Sequence, residues 1–215
     1  MDDVIKRRVE AATVTIETAD RGNGRGVLIH GRLILTAAHC VDWDGQGGMV
    51  LGDRHWHRIT THDGRFFRVA VAAVEPCSDI AVLGSVDNQF SEEDADAFED
   101  FCDSTTALPV SSDVLEHFVE TPCSVFSHRG EWHSGTLMRC FPRNESSSLN
   151  VTVIPDVAGG TSGSAIVNEL GHVEAVVSNG RMDSGSTWAI APRPRWALPC
   201  WVWSQILDSQ QASES

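Results

Sequence analysis

No stretch of these 215 residues stays apolar over the roughly 20 positions a membrane-spanning helix needs, so no such helix is expected. The opening residues, Met1-Asp2-Asp3-Val4-Ile5-Lys6-Arg7-Arg8, lack the apolar core of a secretory signal, and the expected location is the cytoplasm. Basic residues are scarce: 16 Lys and Arg stand against 30 Asp and Glu, a net charge of −14. That balance repels nucleic acid and anionic membrane, and neither is an expected partner. Cysteines are few and scattered. Cys40, Cys77, Cys102, Cys123, Cys140 and Cys200 form no close C-x-x-C pair and no zinc-finger spacing. Most of them read as small buried hydrophobes in a reducing compartment, with a Cys123–Cys140 bridge as the alternative.

What the sequence does have is short apolar runs with turn residues between them. The length allows one two-lobed domain or two small ones, either with a proper core. Residues 9–18 alternate apolar and polar side chains, the mark of a half-buried strand, behind a single helical turn at 3–8. Residues 27–30 and 32–36 read as a hairpin about Gly31. Segments 49–51, 55–60 and 65–74 give three more strands, the last two joined by Thr61-His62-Asp63-Gly64, whose Asp-Gly step is a hairpin signal. Residues 80–83 form a short, wholly apolar strand behind Ser78-Asp79. Six further strands are expected at 122–126, 135–141, 149–154, 165–167, 173–178 and 186–191. Residues 194–210 place Trp196, Leu198, Trp201, Val202, Ile206 and Leu207 at helical spacing, an amphipathic helix packed on the body. The expected class is all-β, a sandwich or barrel.

Between the halves, residues 87–103 carry eight acidic side chains and no basic one, interleaved with Phe90, Phe98 and Phe101. Two readings stand: a solvated linker or short helix, and a docking segment for a basic regulatory partner.

The chemistry gathers on Gly159-Gly160-Thr161-Ser162-Gly163-Ser164. A serine flanked by glycines can expose its hydroxyl while nearby N–H groups converge on one spot, which builds a nucleophile and its oxyanion site together. The same turn alone is also plain punctuation. Upstream, His39 follows two alanines too small to crowd it, and Asp79 enters an apolar strand where a carboxylate needs a partner. His39, Asp79 and Ser162 together supply a general base, the group that orients it, and a nucleophile. Singly they read as a core or surface histidine, a strand cap and a turn. His55 and His57 share a strand face with His62 nearby, but no cysteine or carboxylate stands at matched spacing. No metal and no cofactor is expected.

Three ordered blocks resemble the trypsin-like serine peptidases. Gly26-Val27-Leu28-Ile29 through Leu35-Thr36-Ala37-Ala38-His39-Cys40 resembles their histidine motif. Asp63-Gly64-Arg65 with Ser78-Asp79-Ile80-Ala81-Val82-Leu83 resembles the hairpin and aspartate motif of the HtrA-like (Deg) branch. Gly160-Thr161-Ser162-Gly163-Ser164-Ala165-Ile166-Val167-Asn168 is similar to the nucleophile motif, with Gly171-His172-Val173 as the turn after it. The resemblance covers roughly residues 11–207 and implies two six-stranded antiparallel β-barrels with a C-terminal α-helix. As one peptidase domain over 1–215, the barrels would lie at about 9–86 and 107–192, the acidic linker at 87–106 and the helix at about 194–210.

The resemblance further implies a serine endopeptidase acting on peptide or protein substrates through an acyl-enzyme. Ser162 would be the nucleophile, His39 the base and Asp79 its orienter, with an oxyanion hole from the backbone N–H groups of Gly160 and Ser162. Ser178-Asn179-Gly180 is similar to the strand that pairs with substrate, and the segment opened by Trp188 resembles the F-A-I-P strand; both would line the primary specificity pocket. Asp156 stands where enzymes that cleave after Arg or Lys hold a pocket aspartate, or it is a solvated turn residue. Val177 replaces the histidine of glutamyl endopeptidases, which disfavours cleavage after Glu. With His39 as base, activity is expected to fall below about pH 6–7.

The sequence departs from the family pattern in places. Thr161 stands where many relatives carry Asp or Asn, and Ala165 where Pro is usual. No cysteine near residues 24–26 pairs with Cys40. The I-V-G-G start and the PDZ domain are absent, so neither activation by a cleaved N-terminus nor a trimeric assembly is expected. The alternative function is a catalytically weak or inactive scaffold that docks partners through residues 87–103.

Overall fold

The computed structural model describes residues 1–17, 23–41, 56–112, 119–139, 150–153, 160–178 and 188–214. The chain opens with a helix, α1 (Asp3–Ala12), capped by Asp2, whose carboxylate accepts the Val4 N–H at 2.8 Å. This is longer than the single turn expected, and strand β1 is correspondingly short (Thr13–Ile16). Ile5, Val9 and Ala12 fall on one helical face, and Val9 and Ala12 are fully buried there, so tertiary packing carries the helix into the start of the alternating segment.

Strands β1, β2 (Gly24–Ile29), β3 (Leu33–Thr36), β4 (Trp56–Thr61), β5 (Phe66–Glu75) and β6 (Ile80–Gly84) form a closed antiparallel barrel in the order β1-β2-β3-β6-β5-β4. Its interior is branched aliphatic: Val14, Ile16, Leu28, Ile34, Ile59, Val69 and Leu83 share one face of the strand register and are essentially inaccessible. Each such side chain contributes roughly 1.5–3 kcal/mol of transfer free energy. The expected strand at 49–51 lies outside the described residues.

Residues of the acidic stretch form helix α2 (Glu92–Ser104), capped by Ser91. Its aromatics are core side chains: Phe98 and Phe101 pack on Phe67 of β5 with ring centroids 6.1 and 5.8 Å apart. Asp94 is committed to Arg68, whose backbone N–H and Nε it accepts at 2.9 and 2.7 Å. The acidic stretch is therefore a helix clasped to the barrel wall, with Glu92, Glu93, Asp96, Glu99 and Asp100 facing out.

The second half is a six-stranded antiparallel sheet, β11-β10-β7-β8-β9-β12, from β7 (Thr121–Phe126), β8 (Trp132–Arg139), β9 (Asn150–Val153), β10 (Ala165–Val167), β11 (Val173–Val176) and β12 (Trp188–Ala191). Its two edge strands approach each other where the Val176 N–H donates to the Pro192 carbonyl at 3.0 Å. The connecting segment ties the halves together. Leu108 donates to Leu28 of the barrel at 3.0 Å, and Val173 of the sheet donates to Pro109 at 2.8 Å.

The expected C-terminal helix is two helices, α3 (Pro194–Ala197) and α4 (Cys200–Glu214). Pro199 holds Leu198 extended and cannot donate a helical bond, which breaks the helix there. Val202 and Ile206 are buried, but Trp196 and Trp201 face outward, unlike the packed role expected of them. Gln205 Nε2 donates to the Gly31 carbonyl at 2.7 Å, so α4 docks back on the first barrel.

Candidate active site

Strand β3 ends at Thr36 and runs through Ala37 into one turn of 3-10 helix, Ala38–Cys40, that carries His39. Strand β6 pairs with β3, with Thr36 opposite Ala81, so the exit of one strand and the entry of the other share an end of the barrel. That register brings Asp79, the residue before β6, to His39. The Asp79 carboxylate accepts the His39 backbone N–H at 2.9 Å through Oδ1 and meets the imidazole Nδ1 at 2.7 Å through Oδ2. An ionised carboxylate only accepts, so Nδ1 carries the proton and Nε2 is the nitrogen left for chemistry. Asp79 holds φ at +55°, a left-handed conformation that costs a non-glycine residue energy.

Electrostatics follow from these bonds. The Asp79 bond, joined by a contact with the Cys40 thiol, pushes the His39 pKa up to about 10 against the opposing effect of burial. Burial works against ionisation of Asp79, yet the bonds from His39 and Ser178 outweigh it and hold its pKa below the usual carboxylate value.

Ser162 is seated against the same end of the barrel. The Arg25 N–H donates to the Ser162 carbonyl at 2.8 Å, and the Thr36 hydroxyl donates to the Arg25 carbonyl at 2.6 Å, three residues before His39. The approach is so close that a Cβ on Gly163 would lie 1.9 Å from the Arg25 carbonyl oxygen, and Gly163 holds φ at +85°. Only glycine fits. Within the turn, the Gly163 N–H is taken by the Val177 carbonyl at 2.8 Å and the Ser164 N–H by the Thr161 carbonyl at 3.0 Å. Among the described residues, no acceptor takes the N–H of Gly160 or Ser162. Also among the described residues, the Ser162 hydroxyl makes no hydrogen bond to His39. The structure thus joins His39 to Asp79 and places Ser162 on the strand pair leading into His39.

The other expected site residues divide. The Ser178 hydroxyl donates to Asp79 Oδ2, so its side chain buttresses the carboxylate, a contact that sequence reasoning missed. Trp188 opens β12 opposite Val153. Asp156, Asn179 and Gly180 lie outside the described residues, as do Cys140 of the suggested bridge and His55. His57 is buried inside the barrel, while His62 is exposed with its ring edge-on to Phe126. Among the described residues no three ligating side chains cluster as a metal site. Gly24 lies directly against Cys40, a Cβ there falling 2.7 Å from its Sγ. A second unforeseen residue is His128, whose ring lies over Gly160.

Comparison with known proteins places this arrangement. The fold is shared with a serine endoprotease from Yersinia pestis at TM-score 0.61 and 16% identity, over 95% of this chain and 64% of that one. This chain thus spans less than two thirds of the Yersinia protein. The inactive form of the protease Rv3671c aligns at TM-score 0.58 and 14% identity, over 95% of this chain and 92% of that one. An inactive serine-to-alanine mutant of Rv3671c from M. tuberculosis aligns at TM-score 0.60 and 14% identity, over 98% and 92%. A search of curated protein sequences finds no significant match. The sequence profile described as trypsin-like peptidase domain matches residues 24–176, well over half of the chain, and with the barrel, the second sheet and the C-terminal helix it shows that this protein belongs to the trypsin-like peptidase domain family.

Proposed function

We propose that the protein is a serine endopeptidase that cleaves peptide bonds through an acyl-enzyme on Ser162. The observation that carries this reading is the two-point bond between His39 and Asp79 at the barrel end on which the Ser162 turn is seated. His39 Nε2 takes the proton from Ser162 Oγ as that oxygen attacks the scissile carbonyl carbon. The carbonyl oxygen becomes an oxyanion and accepts from the Gly160 and Ser162 N–H groups, a donor of this kind being worth roughly 3–4 kcal/mol in the transition state. His39 then gives its proton to the leaving amine, the C–N bond breaks, and water attacks the ester by the same route in reverse.

Asp79 keeps Nδ1 protonated throughout and stabilises the imidazolium. The substrate strand and pocket are assigned to Ser178, Asn179, Gly180 and Trp188, with Asp156 as the candidate pocket base. Incubation with an unfolded protein, read by mass spectrometry of the new termini, tests the reading. Wild type yields defined cuts and Ser162→Ala yields none. Equal cutting by both would assign the activity to a contaminant, and no cutting by either would favour a scaffold role.

A further inference from the structure

The turn at residues 160–162 is gripped from a side that the reaction scheme does not use. His128 sits in the turn between β7 and β8, a rigid loop in which the Ser127 N–H donates to the Glu131 carbonyl at 2.9 Å and the Gly130 N–H donates back to Ser127 at 3.0 Å. From there the imidazole reaches across to the serine turn. A Cβ built on Gly160 would meet three atoms of the ring at 3.4, 3.5 and 3.6 Å, so the ring lies flush on the glycine. Its Nδ1 and the Thr161 hydroxyl share a hydrogen bond at 3.2 Å. Thr161 is wholly buried, whereas His128 stands exposed at the rim.

Gly160 therefore has no side chain of its own to fix it and holds φ at +92°, a conformation open to glycine but not required of it. The direction of its N–H is decided by what abuts it. From below, the Ser162–Arg25 and Gly163–Val177 bonds anchor the far end of the turn. The near end has His128.

We propose that His128 is a positioning residue for the oxyanion donors: its ring contact with Gly160 and its hydrogen bond to Thr161 hold the Gly160 N–H aimed at the reacting carbonyl oxygen. The inference rests on the peptidase reading above. It differs from the roles of His39 and Asp79, because His128 moves no proton in the reaction and acts only through the backbone it braces. A misaimed donor weakens transition-state stabilisation while leaving substrate binding in place, so the effect falls on kcat.

The test uses the full chain with His128→Ala, His128→Asn and Thr161→Val. An asparagine can place an amide nitrogen where Nδ1 stands, and valine keeps the shape of threonine without its hydroxyl. His128→Ala is expected to lower kcat about tenfold with KM within about twofold, a fraction of the 10²–10³ lost when an oxyanion donor is removed outright. His128→Asn should recover most of that loss. The double variant His128→Ala/Thr161→Val should be no slower than the worse single variant. Amide hydrogen exchange at residues 160–162 should quicken in His128→Ala, and this readout needs no catalysis. Unchanged exchange together with wild-type kcat in His128→Ala would overturn the proposal. A wild type with no activity but exchange that responds to His128 would instead overturn the peptidase reading and leave the brace standing.

Discussion

Asp79 grips His39 at two points, its backbone N–H at 2.9 Å and its imidazole Nδ1 at 2.7 Å, across 40 residues of sequence. One carboxylate thus sets both where the ring sits and which tautomer it holds. The Ser178 hydroxyl, from the segment that follows β11 of the second sheet, closes on the same carboxylate, so the contact spans the two halves of the molecule.

Asparagine at position 79 keeps the shape but can donate, which turns the imidazole to the wrong tautomer. Asp79→Asn is expected to lower kcat on the order of 10⁴-fold with the fold retained. Steady-state kinetics beside a circular dichroism spectrum checks it, and activity within tenfold of wild type would remove Asp79 from the mechanism.

The raised pKa of His39, about 10, moves the acid limb of activity. Only the neutral ring can accept the serine proton, so kcat/KM should climb with pH from a limb above histidine's ordinary value of about 6.5, higher than the sequence alone suggested. In Asp79→Asn the limb should move down. The sign for stability is separate. A pKa raised on folding stabilises fully below the unfolded value of about 6.5 and is lost as pH rises through about 10. Thermal unfolding across that window should show a decline for wild type that His39→Gln lacks.

Gly163 lies against the backbone of Arg25 in the first barrel, with no room for a side chain. Gly163→Ala would set a methyl 1.9 Å from the Arg25 carbonyl oxygen in an unfavourable backbone conformation, a loss of at least about 3 kcal/mol. Urea unfolding should show a lowered midpoint. A midpoint equal to wild type would mean that the turn is not seated on the barrel as described.

Arg193 and Glu174 are buried together, 2% and 4% exposed, joined by Arg193 Nη2 and by Arg193 Nε donating to the Glu174 carbonyl at 3.1 Å. Asn168 Nδ2 also donates to Glu174 at 2.8 Å. Arg193→Met leaves a carboxylate buried without its cation, at a cost of about 3–5 kcal/mol, and adding Glu174→Gln should return part of that stability. If the double variant is less stable than the single one, the cost lies in packing and not in charge.

Elements with local signals were legible in the sequence. An aspartate entering a wholly apolar strand has few ways to stay charged, and the His39 bond is one of them. The Asp63-Gly64 hairpin and the alternation of β4 and β5 come from periods that show in a few residues. Helix α1 was underestimated because its face is set by packing on the barrel, and the break at Pro199 was hidden by apolar spacing that continues through it. The long-range contacts around the site carry no local sign at all: Ser178 lies 99 residues from Asp79 and His128 lies 33 from Thr161.

The proposed reaction requires that Ser162 be a nucleophile activated by His39. A peptidyl phosphonate that reacts only with activated serines tests it, with the adduct located by tandem mass spectrometry of the intact and digested protein. A single adduct on Ser162, absent in Ser162→Ala and strongly slowed in His39→Ala, is the predicted result; folded wild-type protein that takes up no phosphonate, or takes it up at another residue, would contradict it.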